Sequence, residues 1–124
     1  MRFGYHNHDY SFKILDGEIP RQVLMDQTDA TLVDFEMDIY WVVTAGADPI
    51  DWLSRYPNRF RLAHVKDRSK NPGSDNGQNS VVLGTGSIDF AKILKAGQKN
   101  GVKQSNSMMS SFLSSLNITV SSLV

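Results

Sequence analysis

The segment Phe35–Asp67, FEMDIYWVVTAGADPIDWLSRYPNRFRLAHVKD, contains two strand patterns separated by a helix pattern. Apolar and acidic residues alternate over Leu32–Tyr40, with the two-residue period of a β-strand. Asp48-Pro49 reads as a helix N-cap followed by proline in the first turn, so a helix is predicted over Ile50–Tyr56. A second strand is predicted over Phe60–Val65. A strand, a helix and a strand in this order are typical of a parallel βα unit.

The alternation of strands and helices extends to both sides of this segment. A short strand is predicted over Phe3–His8 and a helix over Ile19–Asp29. The Gly- and Asn-rich stretch Arg68–Ser80 is predicted to be a loop, followed by a helix over Phe90–Asn100 and a new strand from Val102. We therefore predict an α/β fold with parallel strands. Three strands complete neither a closed barrel nor a doubly wound sheet, so edges would stay uncovered.

Composition narrows the class of protein. A chain of 124 residues is expected to form one domain. The 13 basic and 13 acidic residues balance, which gives no electrostatic reason to expect nucleic acid or a membrane surface as partner. The chain has no cysteine, which excludes disulfides and thiolate metal sites. No apolar run approaches the roughly 20 residues of a membrane span, and no signal peptide is visible, so a cytoplasmic location is the default expectation.

Side chains able to bind a metal follow each predicted strand. His6 and His8 close the first strand, Asp38 closes the second with Glu36 one pleat earlier, and His64 closes the third. Residues two apart on a strand point to the same side, and the carboxyl ends of parallel strands line one site. Imidazole and carboxylate together suit Mn, Zn, Co or Fe, and Mg less well. The pattern predicts a divalent metal site, the alternative being separate hydrogen-bonded structural residues.

Neighbouring residues indicate a small polar ligand. Tyr40 and Trp41 could stack on the C–H face of a sugar ring, or could simply pack against the loop. Lys66 could bind an oxyanion or polarise a carbonyl. Asp67 could orient His64 through a hydrogen bond without binding the metal itself. The alternative for that pair is an exposed ion pair of little energetic weight. The amides of the GTGS turn at 84–87 precede a helix and could hold an anion, although a plain turn would give the same sequence.

Three long strings of residues carry a resemblance to a known family. GYHNHDYSF, FEMDIYWVVTAGADPIDWLSRYPNRFRLAHVKD and LGTGSIDFAKILKAGQKNGVK resemble the sugar phosphate isomerase/epimerase family of xylose-isomerase-like TIM barrels. The resemblance runs from Arg2 to Lys103. It implies a partial (β/α)8 TIM barrel that holds about strands five to seven with their intervening helices. Relatives in this family include ketose 3-epimerases and inosose dehydratases.

The resemblance also implies roles for particular residues. Asp38 and His64 match the family's metal ligands on strands six and seven, and His6 or His8 takes the place of a glutamate on strand five. The strand-eight glutamate has no counterpart, because no acidic residue follows Lys103. The implied activity is divalent-metal-dependent proton transfer on a ketose or keto-sugar. From their position directly after His64, we expect Lys66 and Asp67 to be catalytic residues. With one ligand missing, we expect little turnover from this chain alone.

The last part of the sequence differs in composition from the rest. Residues 104–124 contain 8 serines among 21 residues and no charged side chain. We expect a partial barrel over residues 1–103 and a Ser-rich tail over 104–124 that is disordered or read in another frame. Two alternatives to a sugar isomerase remain open. One is a dehydratase or lyase on the same barrel, and the other is a non-catalytic half-barrel that associates with itself.

Overall fold

The computed structural model describes residues 1–73 and 79–106, and it shows a parallel sheet with helices packed on it. In chain order the strands are β1 (Phe3–His6), β2 (Val33–Asp38), β3 (Phe60–His64), β4 (Asp67–Arg68), β5 (Ser80–Val81) and β6 (Gln104–Asn106). The helices are α1 (Pro20–Gln27), α2 (Ile39–Thr44), α3 (Pro49–Arg55) and α4 (Phe90–Lys99), and a 3-10 helix spans Asp9–Phe12.

Strands β1, β2, β3 and β6 form one sheet in this order, and every neighbouring pair is parallel. The predicted parallel α/β fold is therefore confirmed. Strand β6 pairs with β3 and covers residues 104–106, the first three of the predicted Ser-rich tail. Residues 107–124 lie outside the described residues, so the expectation for the tail stays a prediction.

Local chemistry sets the helix boundaries. The Asp48 carboxylate accepts the Ile50 N–H at 2.8 Å, which confirms the predicted N-cap of α3. The second strand ends at Asp38 instead of Tyr40, because the Asp38 carboxylate accepts the Trp41 N–H and begins α2. The predicted loop from Arg68 also differs, since its two ends pair as the short antiparallel hairpin β4–β5.

The two faces of the sheet have different roles. One face packs apolar side chains from the strands against α3 and α4; these are Phe35, Met37, Phe60, Ala63, Trp52, Leu53, Ile93 and Leu94. Side chains alternate along a strand, so the other face of β2 carries Glu36 and Asp38. No helix within residues 1–73 and 79–106 is long and apolar enough to cross a bilayer.

Candidate metal centre

Three predicted metal ligands converge at one edge of the sheet. His6, Asp38 and His64 are the last residues of β1, β2 and β3, and one ligand atom from each lies within 4.8 Å of the others. Atoms bound to one Zn²⁺ at about 2.1 Å can lie at most about 4.2 Å apart. A small side-chain movement would therefore let all three bind the same ion. Two imidazoles and a carboxylate are a donor set that suits Zn, Mn or Co.

An irregularity in the sheet makes this convergence possible. Phe35 lies opposite Phe60, but Glu36 lies opposite Leu62, so Arg61 is an extra residue in β3. Beyond this bulge Asp38 lies opposite His64. If the register continued without this bulge, Glu36 would lie opposite Arg61 and Asp38 opposite Ala63. The His64 side chain would then project from the opposite face of the sheet.

His6 lies between two carboxylates. Its Nδ1 is 3.0 Å from Glu36 Oε2, and its Nε2 is 3.2 Å from Asp38 Oδ2. A carboxylate on one ring nitrogen of a histidine fixes the ring and its tautomer, which leaves the other nitrogen for a metal. The His64 ring approaches edge-on, with its centroid 5.5 Å from that of His6. Glu36 thus orients His6 so that Nε2 faces the cluster.

Asp38 is the most buried member of the cluster, with 3% of its surface exposed. Its Oδ1 accepts the Trp41 N–H at 3.2 Å, and its Oδ2 faces His6. Burial raises the pKa of Asp38 above its ordinary value, against the opposing effects of the Trp41 N–H and the two imidazoles. A poorly hydrated carboxylate gains more from a nearby positive charge than an exposed one does.

His8 lies outside the cluster formed by His6, Asp38 and His64. Strand β1 ends at His6, so the alternation of side chains does not extend to His8, which precedes the 3-10 helix. The Nδ1 of His8 is 2.5 Å from Asp9 Oδ1, and its ring lies 3.6 Å from the Trp41 ring, centroid to centroid. His8 therefore packs beside the cluster, against an aromatic side chain.

Tyr40 and Trp41, the residues predicted to bind substrate, contact each other edge to face, with ring centroids 4.9 Å apart. Tyr40 is fully buried, and Lys66 Nζ lies 4.2 Å from its ring centroid. The same Nζ lies 5.4 Å from the centroid of Trp41, which is only partly buried. A ligand could reach the Tyr40 ring only if neighbouring side chains moved. Trp41 and Lys66 are only partly buried, so a ligand could still contact them. Substrate binding by Trp41 and oxyanion binding by Lys66 therefore stay predictions.

Asp67 does not take the position predicted for it. It is 1% exposed, and none of its described contacts is with His64. Its carboxylate accepts hydrogen bonds from the backbone N–H groups of Arg68, Gly84, Gly86 and Ile88. The amides of the GTGS turn thus bind an anion, but that anion is the chain's own carboxylate. A fully bonded, buried carboxylate of this kind stabilises a loop.

The sequence analysis missed Asn7 and Arg21, both of which are fully buried beneath the cluster. Asn7 bonds to the backbone of Asp38, and Arg21 donates to Asn7. One signal for Asn7 was available. It stands directly after β1, between the two histidines His6 and His8 that the sequence analysis singled out.

Comparison with known proteins places this geometry in context. No family model matches the chain. An inosose dehydratase of Clostridium perfringens is 31% identical over 107 residues, covering 77% of this chain and 35% of that protein. An inosose dehydratase of Lacticaseibacillus casei is 29% identical over 113 residues, covering 82% of this chain and 37% of that protein. The chain thus spans about a third of the length of these relatives.

Solved structures give the same picture. A sugar phosphate isomerase/epimerase from Parabacteroides distasonis superimposes with a TM-score of 0.70 and 28% identity, covering 89% of this chain and 40% of its own. A second structure of that description and organism gives a TM-score of 0.66 at 29% identity. The chain is thus similar in sequence and fold to sugar phosphate isomerases/epimerases and inosose dehydratases, enzymes of the xylose-isomerase-like TIM-barrel superfamily. Its parallel strands form part of the (β/α)8 TIM barrel of this xylose-isomerase-like family, as the sequence predicted.

Proposed function

We propose that this chain is part of an enzyme of the sugar phosphate isomerase/epimerase type, which moves a proton beside the carbonyl of a keto-sugar or keto-inositol with a divalent cation as cofactor. The cation would be held by His6, Asp38 and His64. The observation that carries the proposal is their convergence at the ends of three adjacent parallel strands. The names of the relatives support the substrate class, since they include an inosose dehydratase and a sugar phosphate isomerase/epimerase.

Each residue of the site contributes in a definite way. A bound divalent cation supplies Lewis acidity, which makes a C–H beside a carbonyl easier to deprotonate. Glu36 holds the His6 ring at 3.0 Å, and Asp38 supplies the negative charge that balances a cation. Lys66, whose Nζ lies 5.4 Å from the centroid of the Trp41 ring, carries a positive charge that suits a developing oxyanion. Trp41 offers a ring face for the apolar side of a sugar.

A dehydratase is the second candidate, and the names of the curated relatives favour it. Both reactions begin when a proton leaves the carbon next to the carbonyl. In an epimerase or isomerase a proton then returns to that carbon or to its neighbour. In a dehydratase the hydroxyl on the following carbon leaves with a proton as water. Product analysis with a keto-inositol and with a ketose phosphate separates the two.

Metal binding is the direct test of the site, and the chain contains its own control. We expect His64→Ala to weaken Zn²⁺ binding at least about tenfold, because loss of a direct ligand should exceed the loss of an outer partner. His8→Ala removes an imidazole that lies outside the cluster and should leave the affinity close to that of the wild type. Isothermal titration calorimetry measures both. If the wild type binds no metal, or if both variants weaken binding equally, the proposed centre is wrong.

Turnover is tested separately from metal binding. The chain spans about a third of its curated relatives, so we expect weak activity with Mn²⁺ or Co²⁺ even when metal is bound. Robust turnover of either substrate would contradict that expectation. Size-exclusion chromatography with metal analysis tests the non-catalytic alternative, which predicts an oligomer that contains no metal.

A further inference from the structure

Asn7 continues the hydrogen bonding of the sheet where the strand pairing stops. Strands β1 and β2 pair up to His6 and Glu36, two residues before Asp38. Beyond this point the Asn7 side chain takes over. Its Oδ1 accepts the Asp38 N–H at 2.9 Å, and its Nδ2 donates to the Asp38 carbonyl at 3.1 Å. One side-chain amide thus satisfies both backbone groups of Asp38, which buried backbone requires.

Asn7 is itself held in one orientation. Its side chain is fully buried, and its Oδ1 also accepts a bond of 2.8 Å from Arg21 Nη2. The same Nη2 is 3.2 Å from the Glu36 carbonyl oxygen, so Arg21 links Asn7 to β2. The Arg21 guanidinium carbon lies 4.8–5.7 Å from four ring centroids, those of Tyr5, Phe12, Phe35 and Phe60. This aromatic surround leaves the guanidinium little room to move.

These contacts hold the candidate metal ligand Asp38 in one position. Asn7 fixes the backbone of Asp38, and the Trp41 N–H fixes its Oδ1. The position of Oδ2, 3.2 Å from His6 Nε2, is then largely determined. A ligand held in place before the ion arrives loses little freedom on binding, which raises affinity.

We propose that Asn7 is a positioning residue for the metal centre, which it serves by holding Asp38 with its carboxylate toward His6 and His64. This inference rests on the proposed function, because it presumes that the cluster binds a cation. Asn7 touches no candidate substrate and needs no change of protonation. It acts only through Asp38, and Arg21 keeps it in place.

The experiment compares Zn²⁺ affinity and Co²⁺ absorption spectra of the full-length chain and its variants. Asn7→Ala removes both bonds to Asp38. Asn7→Ser keeps a polar atom near Arg21 but is too short to span the N–H and C=O of Asp38, and it serves if the alanine variant does not fold. Asn100→Ala is the matched control, because it removes an asparagine that bonds to the Ala96 carbonyl at the end of α4. Circular dichroism and thermal melting report folding for every chain.

We expect the dissociation constant for Zn²⁺ to rise about 10- to 100-fold in the Asn7 variants, the usual effect of losing a partner of a metal ligand. The Co²⁺ bands should shift in the same variants, while Asn100→Ala keeps both wild-type values. A folded Asn7→Ser or Asn7→Ala chain with unchanged affinity and spectrum would overturn the positioning role. Equal losses in Asn100→Ala would also overturn it, since general destabilisation would then explain them. A wild-type chain that binds no metal would instead overturn the proposed centre, and the inference with it.

Discussion

Replacement of Gly86 by alanine should destabilise the fold through the buried carboxylate of Asp67. A Cβ atom at Gly86 would lie 2.2 Å from Asp67 Oδ1 and 2.3 Å from the Arg68 carbonyl oxygen. Contacts this short cannot persist, so the carboxylate and the turn must separate. This separation would break the bonds that Asp67 Oδ2 accepts from the Gly84 and Gly86 N–H groups of the turn, each 2.9 Å long.

The size of the effect follows from these two bonds. A hydrogen bond to a charged group contributes about 1.5–3 kcal/mol to stability, so losing both would cost about 3–6 kcal/mol. Partial rehydration of Asp67 should bring the loss toward the lower end, about 3 kcal/mol. With a urea dependence of about 1–3 kcal/mol per molar, the unfolding midpoint should fall by about 1–3 M. Circular dichroism during urea titration measures this shift.

Gly73 provides the matched control for this experiment. Among the described residues, none apart from the chain neighbours of Gly73 lies within 4 Å of the position that a Cβ there would take, so Gly73→Ala makes the same chemical change without the clash. Its stability should equal or slightly exceed that of the wild type, because alanine restricts the unfolded chain. If Gly86→Ala loses less than about 1 kcal/mol, the Asp67 carboxylate does not hold the turn in the way described.

Three further predictions use the same unfolding assay. The hydrogen bond from Arg2 lowers the pKa of Asp34, so ionised Asp34 stabilises the fold above about pH 4 and this contribution is lost as the pH falls through the lower, folded-state pKa. The stability difference between wild type and Asp34→Asn should therefore be present at about pH 7 and vanish at about pH 2; a constant difference would contradict the ion pair. Asp48→Ala should cost about 1 kcal/mol by removing the cap of α3, and an unchanged midpoint would rule out that cap. Gly101→Ala should cost about 1–2 kcal/mol or more, because Gly101 has φ +96° and a Cβ there would lie 2.5 Å from Asn58 Oδ1; wild-type stability would refute this.

Local patterns predicted the framework and part of the site. The alternation over β2 and the Asp48-Pro49 pair at α3 each depend on a few neighbouring residues, so the sequence reveals them. Asp38 and His64 were brought together correctly because the carboxyl ends of adjacent parallel strands always meet at one edge. That rule needs only the order of strands and helices along the chain.

Other features depend on contacts between distant parts of the chain. The bulge at Arg61 sets which face His64 occupies, and nothing in the residues around it distinguishes it from regular strand. Asp67 reached a different partner because the amides it binds lie up to 21 residues away. His8 was grouped with His6 because strand alternation was extended two residues too far. The end of a strand is fixed by its neighbours in the sheet, which periodicity does not record.

Asp38 makes contacts with the sheet, with helix α2 and with the candidate metal centre. Its backbone is bound by Asn7, its Oδ1 caps α2 through the Trp41 N–H, and its Oδ2 faces His6. Because Oδ1 and Oδ2 belong to one planar carboxylate, the hydrogen bond that holds Oδ1 at the first turn of α2 also limits where Oδ2 can lie. That turn carries Trp41, whose ring packs against His8. The Asp38 side chain thus connects the candidate metal cluster to the start of α2, and its role as the cap of that helix explains why the strand ends at Asp38 and the helix begins immediately after it.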